Sequence, residues 1–466
     1  MATHAIAVVI CFCFLVHPGA AISTSSAASS DGNEVWGYAK PRAMGAKLIG
    51  GSSVGRGNFQ EIGPLDVNLE PRNLTWLQNA DLIFVDHPVG TGYSYVDDPS
   101  ALVTTDSQAV EDIIELLRVL TKELPTLQQS SLFLVGESYG GKFAAMIGVA
   151  VLRANKAGTL ELTLGGVALA GSPLTTTRSH TGSSCSVSRL DENAVAHTDR
   201  LAGIVKEQML VGQFAAARKT WTDLLDYIDS ITDSVNMQNF LLDSGMNPVL
   251  AQGLEESSDS APNKIVSIMN GIIKDKLKII PKDLIWQEGS IDVYNALAKS
   301  FMKPTINEID ELLSSGINVT VYNGQLDVIC SSIDTEAWIK KLKWGGLKKF
   351  LSLPRQPLYY CDSSDCTKPI KAYVRSYQNL KFYWVLEADT WLVHPYHLLE
   401  KPHVPVDQPY VAFKIISSYI FNIEVQQSIR SLELECIAIQ HGSKGWIAAR
   451  CFKVTICDDE KLHVSF

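Results

Sequence analysis

Leu132 to Val135 is a short apolar run that passes directly into Gly136-Glu137-Ser138-Tyr139-Gly140-Gly141, and a helical pattern follows from Phe143 to Leu152. A short apolar run reads as a buried strand and the longer one as a helix, so the six residues between them must turn the chain sharply. Glycines two positions either side of Ser138 permit a turn too tight for side chains. The serine is then predicted at the head of a helix. There the amide of Tyr139 is aimed at the place where a tetrahedral intermediate carries its negative oxygen. This is the pattern of a nucleophile elbow. An ordinary Gly-rich turn is the plainer reading of the same letters, and the flanking strand and helix argue against it.

The elements around the elbow alternate between strand and helix. Asp81-Leu82-Ile83-Phe84-Val85 is an apolar strand that stops at a Pro and Gly cluster. Thr105-Asp106-Ser107-Gln108 has capping-box spacing, and Val110, Ile113, Ile114, Leu117 and Leu120 then share one helical face until Pro125. Between Ser188 and Lys303 helix follows helix, with faces such as Leu201, Ile204, Val205 and Met209, then Trp221, Leu224, Leu225 and Ile228. Strands return at Ile317 to Tyr322 and Leu380 to Leu386, followed by a helix from Tyr410 to Tyr419. The prediction is an α/β chain with a doubly wound sheet of α/β-hydrolase type. Its core spans residues 34–187 and 304–421, a helical cap is inserted at 188–303, and 422–466 forms a tail without a clear period.

Composition narrows the class of partner. Of 466 residues, 46% are hydrophobic and 19% charged, which excludes a disordered or fibrous chain. A formal charge of -10 argues against nucleic acid, which needs clustered Lys and Arg. The expected partner is a peptide or small acyl substrate. Residues 1–20 read as an export signal, with Ala5 to Val16 apolar and small residues Gly19, Ala20 and Ala21 at the cleavage end. A buried N-terminal strand or helix is the alternative, and the Ser/Ala stretch Ser23 to Ser30 gives such an element nothing to continue into. No other run reaches the ~18 apolar residues that span a bilayer, so no membrane partner is expected.

Sequons at Asn73-Leu74-Thr75 and Asn318-Val319-Thr320 fit the secretory route. Nine cysteines, less Cys11 and Cys13 of the signal, leave seven, an odd count that keeps at least one thiol unpaired within the chain. Cys361 and Cys366 are near enough in sequence to bridge. No spacing matches a zinc site, and neither a metal nor another cofactor is expected.

The elbow resembles that of the serine carboxypeptidases, and Val85-Asp86-His87-Pro88-Val89-Gly90-Thr91-Gly92-Tyr93-Ser94 resembles the family's upstream loop. Asn58-Phe59-Gln60-Glu61-Ile62-Gly63-Pro64-Leu65, Val321-Tyr322-Asn323-Gly324-Gln325-Leu326-Asp327 and Pro405-Val406-Asp407-Gln408-Pro409 extend the match. It runs from about Gly50 to Ile416 and is nearest to the retinoid-inducible type and its plant serine carboxypeptidase-like relatives.

The resemblance implies that Asp327 is the acid that orients a catalytic imidazole, in the chain order Ser, Asp, His of α/β-hydrolases. It implies that Glu137 helps bind a substrate's free C-terminal carboxylate and that Glu61 shares a proton with it. Two carboxyl groups that close do not both stay ionised, so one is neutral and donates a hydrogen bond. Such a pair favours acid conditions, as in a lysosome, a vacuole or an acidic wall. Taken alone, Asp327 reads as a turn residue and either glutamate as a solvated charge.

Three departures fall on active-site segments. The family's apolar N-terminal strand and its Gly-Gly-Pro-Gly turn have no counterpart between Trp36-Gly37-Tyr38 and Lys47-Leu48-Ile49-Gly50-Gly51-Ser52-Ser53. Gly50 or Gly51 is left to stand in as the second oxyanion donor, and losing one donor typically costs about 10²–10³ in turnover. The histidine position falls on Thr390 counted from Ala388 and on Pro402 counted back from Pro405. The 16 residues Asp389 to Val404 bring His394, His397 and His403, of which His403 is nearest to register and is taken as the base. Solvated loop histidines are the alternative reading for all three. Finally, Ala170-Gly171-Ser172-Pro173-Leu174 replaces a Gly-Asp/Asn-rich pocket segment.

The function expected from the resemblance is hydrolysis of C-terminal peptide residues through an acyl-enzyme, weakened by these departures. Acyl transfer from the same triad, or a secreted protein that keeps the fold without catalysis, are the alternatives. No pattern bears on oligomeric state.

Overall fold

A strand buried on both faces has no polar side, so runs such as Leu132-Phe133-Leu134-Val135 become interior strands of a parallel sheet. The computed structural model describes residues 5–13, 52–96, 98–123, 125–172, 190–232, 261–278, 280–327, 330–360, 369–388, 405, 408–420, 433–440 and 446–453. Within them the main sheet is formed by β1 (Ala5–Cys13), β2 (Asp81–Asp86), β3 (Ser131–Glu137), β4 (Thr163–Ala170), β5 (Asn318–Gly324), β6 (Gln356–Tyr359), β7 (Ile370–Tyr377) and β8 (Leu380–Val385). Their order across the sheet is β2-β1-β3-β4-β5-β8-β7-β6. Neighbours from β2 to β8 are parallel, and β7 and β6 close one edge antiparallel. The parallel strands therefore end on a common edge, the place where open α/β sheets bind ligands.

Helices cover the sheet: α1 (Asp106–Glu123), α2 (Tyr139–Lys156), α3 (Glu192–Leu210), α4 (Phe214–Ile231), α5 (Ala261–Ile268), α6 (Ile291–Ala296), α7 (Ile306–Ser314), α8 (Ser332–Ile339), α9 (Leu347–Ser352) and α10 (Pro409–Ile420). The period of two in β3 divides the core. Leu132 and Leu134 join Ile113, Leu117, Phe143 and Leu312 on one face, and Phe133 and Val135 join Val411, Ile415 and Tyr419 on the other. Fully burying a side chain such as Phe143 contributes about 1.5–3 kcal/mol, so this layer of contacts holds α2, and the serine at its head, in place. No helix among the described residues is long and apolar enough to cross a membrane.

Local signals translate into observed elements. Gln108 Oε1 accepts the amides of Thr104 at 2.9 Å and Thr105 at 3.2 Å, while Thr105 Oγ1 accepts that of Gln108 at 3.3 Å, which completes the capping box. Val110, Ile113, Ile114 and Leu117 are buried, as are Trp221, Leu224, Leu225 and Ile228 of α4. On α3, Val205 is buried but Ile204 is 38% exposed, because the helix offers the core a narrower stripe than its sequence does. All described elements between β4 and β5 are helical. In the tail, β9 (Glu433–Gln440) and β10 (Trp446–Lys453) form an antiparallel pair that has no counterpart in the sequence reading.

The N-terminal run has a place in the sheet. The apolar run assigned to an export signal contains Ala5–Cys13, which is paired parallel between β2 and β3, with Val8 opposite Ile83 on one side and Leu134 on the other. An N-terminal strand is the alternative reading of that run, and the strand occupies nine of the twenty residues assigned to the signal. A short uncharged run rich in Val and Ile meets the requirements of a signal core and of an interior parallel strand alike, and sequence length does not separate them.

Candidate active site

Ser138 lies between β3 and α2 with φ 54° and ψ -126°, a conformation that costs a non-glycine residue of order 1–3 kcal/mol. Its amide donates to the Ala170 carbonyl at 2.7 Å, and its carbonyl accepts the Gly141 amide at 3.1 Å. The turn is this tight because there is no Cβ on Gly136: one would stand 2.1 Å from the Gly140 carbonyl oxygen. Among the described residues, neither Ser138 Oγ nor Glu137 Oε1 has a hydrogen-bond partner, though both residues are buried.

Asp327 follows β5, two strands from the elbow and on the same edge of the sheet. The loop is held by Gln325 and Leu326, whose amides donate to the carbonyls of Val385 and Ala388, each at 2.8 Å. Asp327 is 1% exposed, and its Oδ1 accepts the Cys330 amide at 2.7 Å. Its charge raises the proton affinity of Glu137.

Glu61 comes from a wide helical turn, Ser53–Ile62, whose N-terminus is fastened to the end of β2. Ser52 Oγ donates to Asp86 Oδ1 at 2.9 Å and accepts from Trp286 Nε1 at 3.1 Å, while Asp86 Oδ2 accepts the Tyr93 amide at 3.0 Å. Arg72 braces the other end, its Nη2 donating to the Phe59 carbonyl at 2.7 Å and its Nε to that of Gly63 at 3.1 Å. Burial pushes the Glu61 carboxyl up to about 7, against the opposing charges of Arg56 and Arg72. Burial also holds the Glu137 carboxyl well above the usual range, with Glu61 adding to the effect and Arg56 opposing it. Two proton-holding acids thus stand beside a strained serine.

A family model described as serine carboxypeptidase matches residues 50–422. The chain belongs to the serine carboxypeptidase family. It is 42% identical over 440 residues to serine carboxypeptidase-like 51 of Arabidopsis thaliana, covering 83% of this chain and 92% of that relative. It is 38% identical over 382 residues to the retinoid-inducible serine carboxypeptidase of Homo sapiens, covering 79% and 81%. The fold is similar to that of Kex1(delta)p, a prohormone-processing carboxypeptidase from Saccharomyces cerevisiae, with a TM-score of 0.63 at 22% identity over 85% of this chain and 83% of that one. The α/β-hydrolase fold follows from that likeness.

In this serine carboxypeptidase family member, Ser138, Glu137, Tyr139, Asp327 and Glu61 are all buried at the same end of the sheet. Gly50, Gly51 and His403 lie outside the described residues, as do His394 and His397. Of the sequons, Asn73 is exposed, whereas Asn318 is half-buried at the start of β5 and its Nδ2 donates to the Gly165 carbonyl at 3.4 Å. Sequence reasoning passed over Arg56, which pairs with Glu288 at 2.6 Å beside the two acids, and gave Asp106 only a place in a cap. The signal for Asp106 was present, since a capping box leaves its second residue free for other work. Arg56 carried none, because its partner is remote in sequence.

Proposed function

We propose that this chain is a serine-type carboxypeptidase that removes C-terminal residues from peptides through an acyl-enzyme on Ser138. Ser138 attacks the last peptide carbonyl, His403 takes its proton and passes it to the leaving amine, and Asp327 orients the imidazole. The Tyr139 amide, with that of Gly50 or Gly51, receives the negative oxygen. Glu61 and Glu137 hold the free carboxylate, one of them donating the proton it retains. Water then attacks the acyl-enzyme by the same route in reverse.

The observation that carries this reading is the pair of buried carboxyls beside the strained serine. A protonated acid welcomes a carboxylate, and an ionised pair repels it, so activity belongs to acid conditions. A lysosome, vacuole or acidic extracellular space, with a glycan on exposed Asn73, is the proposed setting. Displacement of the histidine from the family register makes turnover slow.

The test is release of C-terminal residues from blocked dipeptides at about pH 5, paired with fluorophosphonate labelling. Slow labelling that Ser138→Ala abolishes and His403→Ala strongly reduces is expected. A folded chain that neither labels nor releases residues is a non-catalytic relative. Product formed only when an alcohol acceptor is supplied points to acyl transfer.

A further inference from the structure

Asp106 and Lys142 are a buried ion pair that no step above uses. Lys142 Nζ lies 2.8 Å from Asp106 Oδ2, and the two side chains are 2% and 4% exposed. Removing two charges from water is often less favourable than packing two apolar side chains in the same volume, so such a pair raises the question of what geometry it fixes. Here it fixes Tyr139. The phenol donates to Asp106 Oδ1 at 2.5 Å, and Lys142 Nζ donates to the phenol oxygen at 3.3 Å while lying 4.8 Å from the ring centroid.

The cap grips the same group from the other side. The Ser300 carbonyl accepts from Lys142 Nζ at 2.7 Å, and the Ser300 hydroxyl accepts the Asp106 amide at 3.4 Å. Phe301 stacks on the Tyr139 ring at 5.1 Å and 4°. Phe301 in turn meets Trp221 of α4 at 5.6 Å and Tyr294 of α6 at 5.5 Å. Two neighbouring cap residues therefore hold the ion pair and the ring together.

We propose that Asp106, Lys142 and Ser300 form a positioning clamp that fixes the backbone amide of Tyr139 at the oxyanion site and ties turnover to the seating of the helical cap. The proposal rests on the reading of Ser138 as nucleophile. The amide and the ring belong to one residue, so a shift of the Tyr139 backbone away from the oxyanion site pulls the phenol from Asp106 and slides the ring off Phe301. Ser138 sits in a strained conformation, and the clamp opposes its relaxation.

Asp106→Asn alone strands a buried lysine charge, so the pair is removed together as Asp106→Asn/Lys142→Met; Tyr139→Phe, which deletes one hydroxyl, is the mild companion. With blocked dipeptides, kcat falls about ten- to a hundredfold in the double variant and about threefold in Tyr139→Phe, as expected for a misplaced donor. KM moves less than about twofold, because Glu61 and Glu137 are untouched. Amide hydrogen exchange over residues 136–141 quickens about tenfold while the rest of α2 keeps its parent rate. A folded double variant with parent kcat and parent exchange overturns the clamp. So does a variant in which kcat, KM and exchange along all of α2 change together, because the pair is then a general support. If the parent neither turns over nor labels, the hydrolase reading fails by itself, and exchange at 136–141 decides the clamp.

Discussion

Arg56 and Glu288 face each other across 2.6 Å, and the same guanidinium opposes proton uptake by Glu61 and Glu137. One turn of chain thus brings an acid that burial keeps protonated and the cation that works against it. Burial wins at Glu61, whose carboxyl stands at about 7.

Stability should fall as pH rises because of this. Folded Glu61 keeps a proton that the unfolded chain releases near 4.5, so its favourable contribution is complete below that pH and is lost as pH climbs to about 7. The thermal midpoint is expected to drop across this window, and Glu61→Gln, neutral at every pH, to flatten the drop. An equally steep fall in Glu61→Gln would place the titration elsewhere.

Arg56→Met tests the cation. Without the guanidinium both carboxyls hold their protons to higher pH, so the rise in KM that accompanies their ionisation shifts upward in pH. A profile of KM against pH for parent and variant gives the answer. A shift toward lower pH contradicts the assignment of Arg56 as the opposing charge.

Gly141 is expected to tolerate no side chain while Ser172 is present. A Cβ there would stand 1.7 Å from Ser172 Oγ and 2.8 Å from its Cβ. Gly141→Ala should cost about 1–3 kcal/mol in denaturant unfolding. Ser172→Gly in the same chain should return part of that loss, with a coupling above about 0.5 kcal/mol. Strictly additive effects would mean that the clash is relieved by backbone movement.

Val8→Pro asks whether β1 belongs to the working protein. Val8 pairs with Ile83 and Leu134, and proline supplies no amide to a ladder and is excluded from the middle of a sheet. A retained β1 predicts a loss of about 3 kcal/mol or more, read as a lower midpoint or absent folded product. Purified protein that starts beyond Cys13 and melts like the parent would show that the sheet closes without it.

Sequence made the local parts of this molecule legible. The elbow, the face of α1 and the stripe of α4 are set by neighbours within a few residues, so spacing alone revealed them. What escaped depends on distant partners. Nothing near Asp106 announces Lys142 or Ser300, and nothing near Arg56 announces Glu288, since a charge in a string of letters does not display its burial. The pairing of Ala5–Cys13 escaped for a related reason: its identity as a strand lies in the two strands beside it. Ser138 and Tyr139 sit in a motif whose chemistry is local, whereas Glu137, Glu61 and Asp327 stand out only through the family resemblance, since each by itself reads as a solvated charge or a turn residue.

The place of β1 also orders events during synthesis. Val8 meets Ile83 and Leu134, which are 75 and 126 residues further along the chain. At about 5–20 residues per second, roughly 6 to 25 seconds pass before both partners exist. For that interval nine apolar residues at the leading end travel without a sheet to join, in full view of any factor that collects nascent hydrophobic segments. Sorting and folding therefore compete for one stretch of chain, and the outcome depends on which reaches it first.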